Sequence, residues 1–116
     1  MQVLFKDKLV TTAKFKAELL EKSGIHQVSI EDAEAKNDLE ALLPNFKNMT
    51  VILGAITIAR SKIEEFETLQ ERIKKALELM ENPEKLVLAP DCGLGFLNEE
   101  QIHSKLEAMV KVAKSF

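Results

Sequence analysis

The residues best placed to do chemistry lie in one short stretch, Leu86-Val87-Leu88-Ala89-Pro90-Asp91-Cys92-Gly93-Leu94-Gly95. An apolar run of strand character stops at Pro90, which has no N–H for a sheet ladder. A cysteine follows on a tight turn, and its neighbouring glycines permit unusual backbone angles or close approach by a ligand. Catalytic side chains of α/β enzymes sit at the carboxyl ends of strands. A thiol there can act as a nucleophile or, once deprotonated, as a metal ligand. The competing reading is a small buried hydrophobe, the commonest fate of a free cysteine. A nucleophile also needs a base. His26 precedes its strand and belongs at the opposite rim, and His103 falls on the surface of the last helix, so neither serves.

Four helices and four apolar runs would have to position that turn. Ser61-Lys62-Ile63-Glu64 fits a capping box. From it Ile63, Phe66, Leu69, Ile73, Leu77 and Met80 recur at helical steps until Asn82-Pro83 ends the segment. Asn98-Glu99-Glu100-Gln101 opens a last helix with Ile102, Leu106, Met109, Val110 and Ala113 as its stripe. Thr12 to Ser23 predicts an earlier helix closed by Gly24 in a left-handed cap. A shorter one is expected from Asn37, acting as cap, to Pro44. The apolar runs are Val51 to Ile58, Leu86 to Ala89, a weaker alternating segment from His26 to Glu31, and Met1 to Phe5.

Runs that are apolar on both faces suit a parallel sheet covered by helices. The order β-α-β-α-β-α-β-α predicts one α/β domain over residues 1–116, built of four βα units. Two architectures satisfy it. A small doubly wound sheet would be complete at this length. A (β/α)₈ barrel needs about 250 residues, so the chain would be roughly half of one.

Composition narrows the function. The chain has 116 residues, 46% hydrophobic and 30% charged, with a net charge of −3 and both signs interleaved. There is no basic field for nucleic acid or anionic lipid. The six Phe are scattered, with no Trp or Tyr, so no base-stacking platform is legible. No run approaches the roughly 20 apolar residues of a membrane span. Lys6, Asp7 and Lys8 interrupt the apolar start, unlike a secretory signal. One cysteine makes no internal disulfide, and a reduced, cytoplasmic setting is the expectation.

Pro90-Asp91-Cys92-Gly93-Leu94 resembles the Pro-Asp-Cys-Gly-Leu motif near the C-terminus of cobalamin-independent methionine synthases. Lys105 to Lys114 is similar to their closing helix. Val28-Ser29-Ile30-Glu31 with Asp38-Leu39-Glu40 and Leu42-Leu43 is similar to an upstream strand, glutamate and acidic-leucine segment. Leu53-Gly54-Ala55-Ile56, Ile63-Glu64 and Glu71-Arg72-Ile73 match the unit between them. The resemblance runs in order over roughly residues 25 to 116.

It implies the C-terminal half of a TIM (β/α)₈ barrel that moves a methyl group from methyltetrahydrofolate to the thiol of homocysteine. It also implies zinc, which holds the substrate thiol as the nucleophilic thiolate. The ligands carried over are Glu31 and Cys92, both of types zinc accepts. Strand parity is consistent with them. Glu31 ends the second expected strand and Cys92 the fourth, and alternate strands of a barrel share a level. The alternative for Glu31, with Asp32, is a dipole-favouring or solvent-facing carboxylate.

The family's other two ligands, a His-x-Cys pair on the preceding strand, have no counterpart in Met1 to Thr12. The expectation is therefore a partial catalytic domain, inactive by itself, with incomplete zinc ligation. The alternatives are a half-barrel interaction module that binds a partner chain, and a small enzyme using Cys92 as a plain nucleophile. Open sheet edges predict a homo-oligomer or a partner that completes the barrel.

Overall fold

The computed structural model describes the backbone of residues 2–5 and 8–116 and the side chains of residues 16–116. Strand β1 (Gln2–Phe5) pairs antiparallel with β2 (Lys8–Thr11), from Gln2↔Thr11 to Phe5↔Lys8. The expected first strand thus exists from Gln2 onward, while Met1 lies outside the described residues. It does not join the parallel sheet, and this corrects the expectation of four βα units. Two short strands close in sequence pair antiparallel at small loop-closure cost, whereas a parallel pairing needs a long crossover. Helix α1 (Thr12–Lys22) follows, and Gly24 beyond it takes φ 81°, the left-handed conformation expected of it.

Three βα units then succeed one another: β3 (Gln27–Ile30) and α2 (Leu39–Leu42), β4 (Thr50–Ile56) and α3 (Phe66–Leu79), β5 (Leu86–Pro90) and α4 (Glu99–Ala113). The strands form one parallel sheet in the order β3-β4-β5. Strand order in a doubly wound sheet reverses at a switch point. None occurs among these three strands, and progressive order is what a barrel requires.

Burial points the same way. Val28, Val51 and Leu86 stand in register, as do Ile30, Leu53 and Leu88. Val51 and Leu53 are fully buried with Leu69, Ile73 and Ala76 of α3, Val112 of α4, and Ala17 of α1, and the flanking strand residues pack on that core. The intervening residues occupy the other face. There Ser29 is exposed, Ile52 half-buried, and Val87 44% exposed. The open face is therefore less apolar than the continuous runs suggested, because every second residue lies beneath the helices.

The helix boundaries carry further corrections. Helix α3 begins at Phe66, after Glu65, and not at Ser61. The Glu64 carboxylate is engaged elsewhere, accepting from Thr57 N at 3.0 Å and from Lys105 Nζ at 3.1 Å. It cannot reach back to close a capping box, and Ile63 is left 45% exposed outside the stripe. Asp38, not Asn37, caps α2 by accepting from Ala41 N. A 3₁₀ turn, Leu43–Asn45, extends it. Strand β4 ends at Ile56, short of Ile58, while β5 reaches Pro90. The capping box of α4 forms as expected, with Asn98 accepting from Gln101 N and Gln101 from Asn98 N. Its buried stripe is rotated, however, and centres on Lys105 and Val112 while Val110 and Ala113 are exposed.

Lys105 sits at the centre of that buried face. Its side chain is fully buried, and its ammonium donates to the Lys62 carbonyl at 2.9 Å and to both Glu64 oxygens. The stem packs as a hydrophobe while its end finds partners, and α4 is tied to the loop after β4. At the surface, Lys75 lies 2.8 Å from Glu40 and joins α3 to α2. Its hydrogen bond and charge hold the Glu40 carboxyl below its usual range, and Glu40 raises Lys75 in turn. Exposed pairs of this kind contribute little stability.

Removing one partner of a buried pair strands the other charge. Lys105→Met should lower unfolding stability by on the order of 3 kcal/mol. Glu64→Gln, which leaves the fully buried ammonium with acceptors but no counter-charge, should cost at least as much. Urea denaturation of the two variants beside the parent chain measures the difference.

Candidate functional site

Glu31 is the first residue after β3, and Cys92 is the second after β5. Both are exposed at the carboxyl edge of the sheet, on the two strands that flank β4. Cys92 is therefore not the buried hydrophobe of the competing reading. Among the described residues no group of three or more His, Cys, Asp or Glu is arranged to hold a metal ion. His26 is exposed just before β3, at the other rim, and His103 faces solvent on α4 beside Glu107. Both histidines lie where their sequence positions implied.

The neighbours of the two candidates hold the strand ends together. Asp91, directly before Cys92, is 8% exposed. Its Oδ1 accepts from the amides of Asp32 at 3.1 Å and Ala33 at 3.0 Å, and its Oδ2 accepts from Glu34 N at 3.0 Å. These are three consecutive amides directly after Glu31. Converging peptide dipoles can satisfy a buried carboxylate without a cation, and among the described residues no ion pair involves Asp91. The Asp91 amide donates to Ile56 O at 2.9 Å, so the turn is also attached to β4.

Gly54 makes the crossing possible. A Cβ built there would lie 2.1 Å from Asp91 Oδ1, 3.0 Å from Asp91 Cα and 3.1 Å from the Ile30 carbonyl. The carboxylate thus passes directly over the middle strand, in space that any side chain at position 54 would fill. The loop after β3 is held from its far side as well. Asn37 donates its backbone N–H to Asp32 Oδ1 at 2.7 Å and its side-chain amide to the Glu31 carbonyl. Arg72 of α3 reaches Asp32 Oδ2 at 3.4 Å.

Beside this latch a cleft of about 400 Å³ opens between the loops after β3 and β4 and the start of α3. Glu34 lines it, bonded to Thr57 Oγ1 at 3.2 Å and to Arg60 at 3.3 Å. Glu64 and Arg72 are among its other polar lining residues. Neither Glu31 nor Cys92 lines it. Sequence reasoning passed over Asp91 as a separate actor, took Asp32 only as a dipole-favouring or solvent-facing carboxylate although it is buried, and missed Thr57 and the Glu64–Lys105 pair. The available signal was Gly54, since a lone glycine inside an apolar strand marks a close approach.

The latch yields a direct expectation. Gly54→Ala should destabilise the fold by about 1–3 kcal/mol, the usual cost of overpacking, because two of its three close neighbours are backbone atoms. Thermal unfolding followed by circular dichroism measures it.

Comparison with known proteins agrees with this layout. The family described as "Cobalamin-independent synthase, Catalytic domain" matches residues 14–115. A methionine synthase of Pyrococcus horikoshii is 29% identical over 98 residues, covering 84% of this chain and 29% of that protein. One from Saccharolobus islandicus is 39% identical over 61 residues, or 53% of this chain and 18% of its own length. The chain thus spans under a third of the length of these relatives. The solved structure of a B12-independent methionine synthase from Shewanella sp. W3-18-1, in complex with selenomethionine, is 30% identical and superposes with a TM-score of 0.76. The match covers 84% of this chain and 28% of that one. With the family's pattern running through nearly all of its length, on strands arranged as in a solved relative, this chain belongs to the cobalamin-independent methionine synthase catalytic-domain family.

Proposed function

We propose that residues 1–116 act as one domain equivalent to the closing βα units of a methionine synthase (β/α)₈ barrel, and that Glu31 and Cys92 are its contribution to a zinc site. The complete site would transfer methyl from methyltetrahydrofolate to the thiolate of homocysteine. The observation that carries this reading is the placement of Glu31 and Cys92 at the carboxyl ends of alternate strands, joined through Asp91. The selenomethionine in the Shewanella structure is consistent with a sulfur amino acid as the ligand.

The donor types suit zinc. A carboxylate and a thiolate are both accepted ligands, and both side chains are exposed where a metal could reach them. Their number falls short, since a catalytic zinc uses three protein ligands and keeps one position for substrate. The described residues therefore supply part of a donor set. When bound, zinc would supply the deprotonation of the substrate thiol. The chain's own residues present the two donors and hold the loops that carry them.

This reading has a plain test in the purified chain. Bound zinc should be well below one per chain, should leave on mild chelation, and should fall further in Cys92→Ala with the fold intact. Methyl transfer to homocysteine should not exceed background. One tightly held zinc per chain, or turnover by the chain alone, would overturn it.

A second expectation concerns assembly. Strands β3 and β5 each have one hydrogen-bonded neighbour in the described sheet, and Val87 is exposed on its open face. Unpaired edges favour association with another chain. Light scattering at micromolar concentration should report a dimer or larger species, either of this chain alone or with a partner that completes the barrel. A monomer of 13.0 kDa would remove the open-edge reading.

A further inference from the structure

We infer that the outer flank of α4 is a self-association surface, and that its occupant is the same flank of a second copy of this chain, running antiparallel. This contact is independent of the zinc site proposed above, and it differs from the open strand edges in lying on a helix. Helix α4 buries the face centred on Lys105 and Val112. Another side of it carries Glu99, His103, Leu106, Val110 and Lys114, at steps of four, three, four and four residues. Such steps keep side chains on one flank of a helix. Leu106 is half-buried and Val110 is 44% exposed. With His103 and Lys114 they line an open groove of about 570 Å³ along the helix.

The charges select the occupant. Glu99 and Glu100 lie in the first turn of α4, while Lys111 and Lys114 stand at its other end. Among the described residues, Glu99, Glu100 and Lys114 form no ion pair, so their charges are open to a partner. Glu99 stands seven residues before Leu106 and Lys114 eight after it, roughly 11 Å to either side at the helical rise. A twofold axis beside Leu106 therefore brings Glu99 of each copy to Lys114 of the other. It gathers Leu106 and Val110 between the two ion pairs. A parallel pairing would set Glu99 against Glu99 and Lys114 against Lys114, and like charges so placed repel. An apolar seam flanked by opposite charges is how paired helices fix their orientation, and twofold symmetry makes every contact occur twice.

Sedimentation equilibrium over a range of protein concentrations tests this, with circular dichroism to show that each variant folds. The parent chain should dimerise, and more weakly as salt is raised, because exposed ion pairs are screened. Glu99→Lys and Lys114→Glu should each raise the dimer dissociation constant by about tenfold or more, since each places like charges together at both ends of the seam. The double variant Glu99→Lys/Lys114→Glu restores opposite charges across the axis and should recover most of the lost affinity. Val110→Asp should leave the chain folded and monomeric at concentrations where the parent is dimeric. A dimer that neither charge variant weakens would overturn the α4 contact and leave the strand edges as the place of association. Single variants that weaken the dimer without recovery in the double would overturn the antiparallel arrangement. A parent chain that stays monomeric would overturn this inference together with the open-edge reading.

Discussion

A buried carboxylate placed where three consecutive peptide amides converge spans the middle strand of the sheet and joins its two outer edges. Asp91 is tied to the segment after Glu31 by its side chain and to β4 by its backbone. Apolar packing alone does not fix these loops, because the carboxylate and amides buried there need hydrogen-bond partners. Charge-assisted hydrogen bonds are about twice as strong as neutral ones, and here they act with little water around them. The absence of a side chain at Gly54 belongs to the same arrangement, for the carboxylate occupies the volume a Cβ would need. The carboxyl edge of the sheet, and everything it presents, depends on this contact.

One layer of helices covers one face of the sheet, and the buried charge of Lys105 fits that plan. Burying an ammonium is costly unless it is paired and hydrogen-bonded. Lys105 meets both conditions through Glu64 and the Lys62 carbonyl. It ties the last helix to the loop after β4, and Glu64 passes the connection to the Thr57 amide at the strand end. Thr57 and Arg60 then bind Glu34 on the neighbouring loop. The rim is thus a continuous polar network from α4 to the loop after β3, laid over a hydrophobic core whose alternate strand residues point the other way.

Family membership and site composition bear differently on function. Members of this family share the fold of the barrel's strands and helices, and this chain carries that portion with a TM-score of 0.76 to a solved relative. A metal site is more demanding than a fold, because its ligands come from several strands and each must be present. Glu31 and Cys92 are two residues of ligand type, fewer than such a site needs.

Much was legible in the sequence because it depends on local physics. Apolar periodicity located α3 and α4, Asn98 with Gln101 marked a cap, Gly24 marked a helix end, and β-rich runs marked β4 and β5. The Asp-Cys-Gly-Leu turn pointed to the family and to Cys92. What only the tertiary structure decided were the fates of polar side chains whose partners lie far along the chain. Glu64 suits a local cap by its spacing, yet it turns to Lys105 and Thr57, and α3 starts later as a result. Lys105 interrupts the apolar stripe in sequence and forms its centre in space. Asp91 finds amides 57 to 59 residues away, and β1 pairs with β2 instead of entering the sheet. Periodicity records which face of an element is apolar, whereas these choices compare one hydrogen-bond partner with another, and that comparison exists only once the chain has folded.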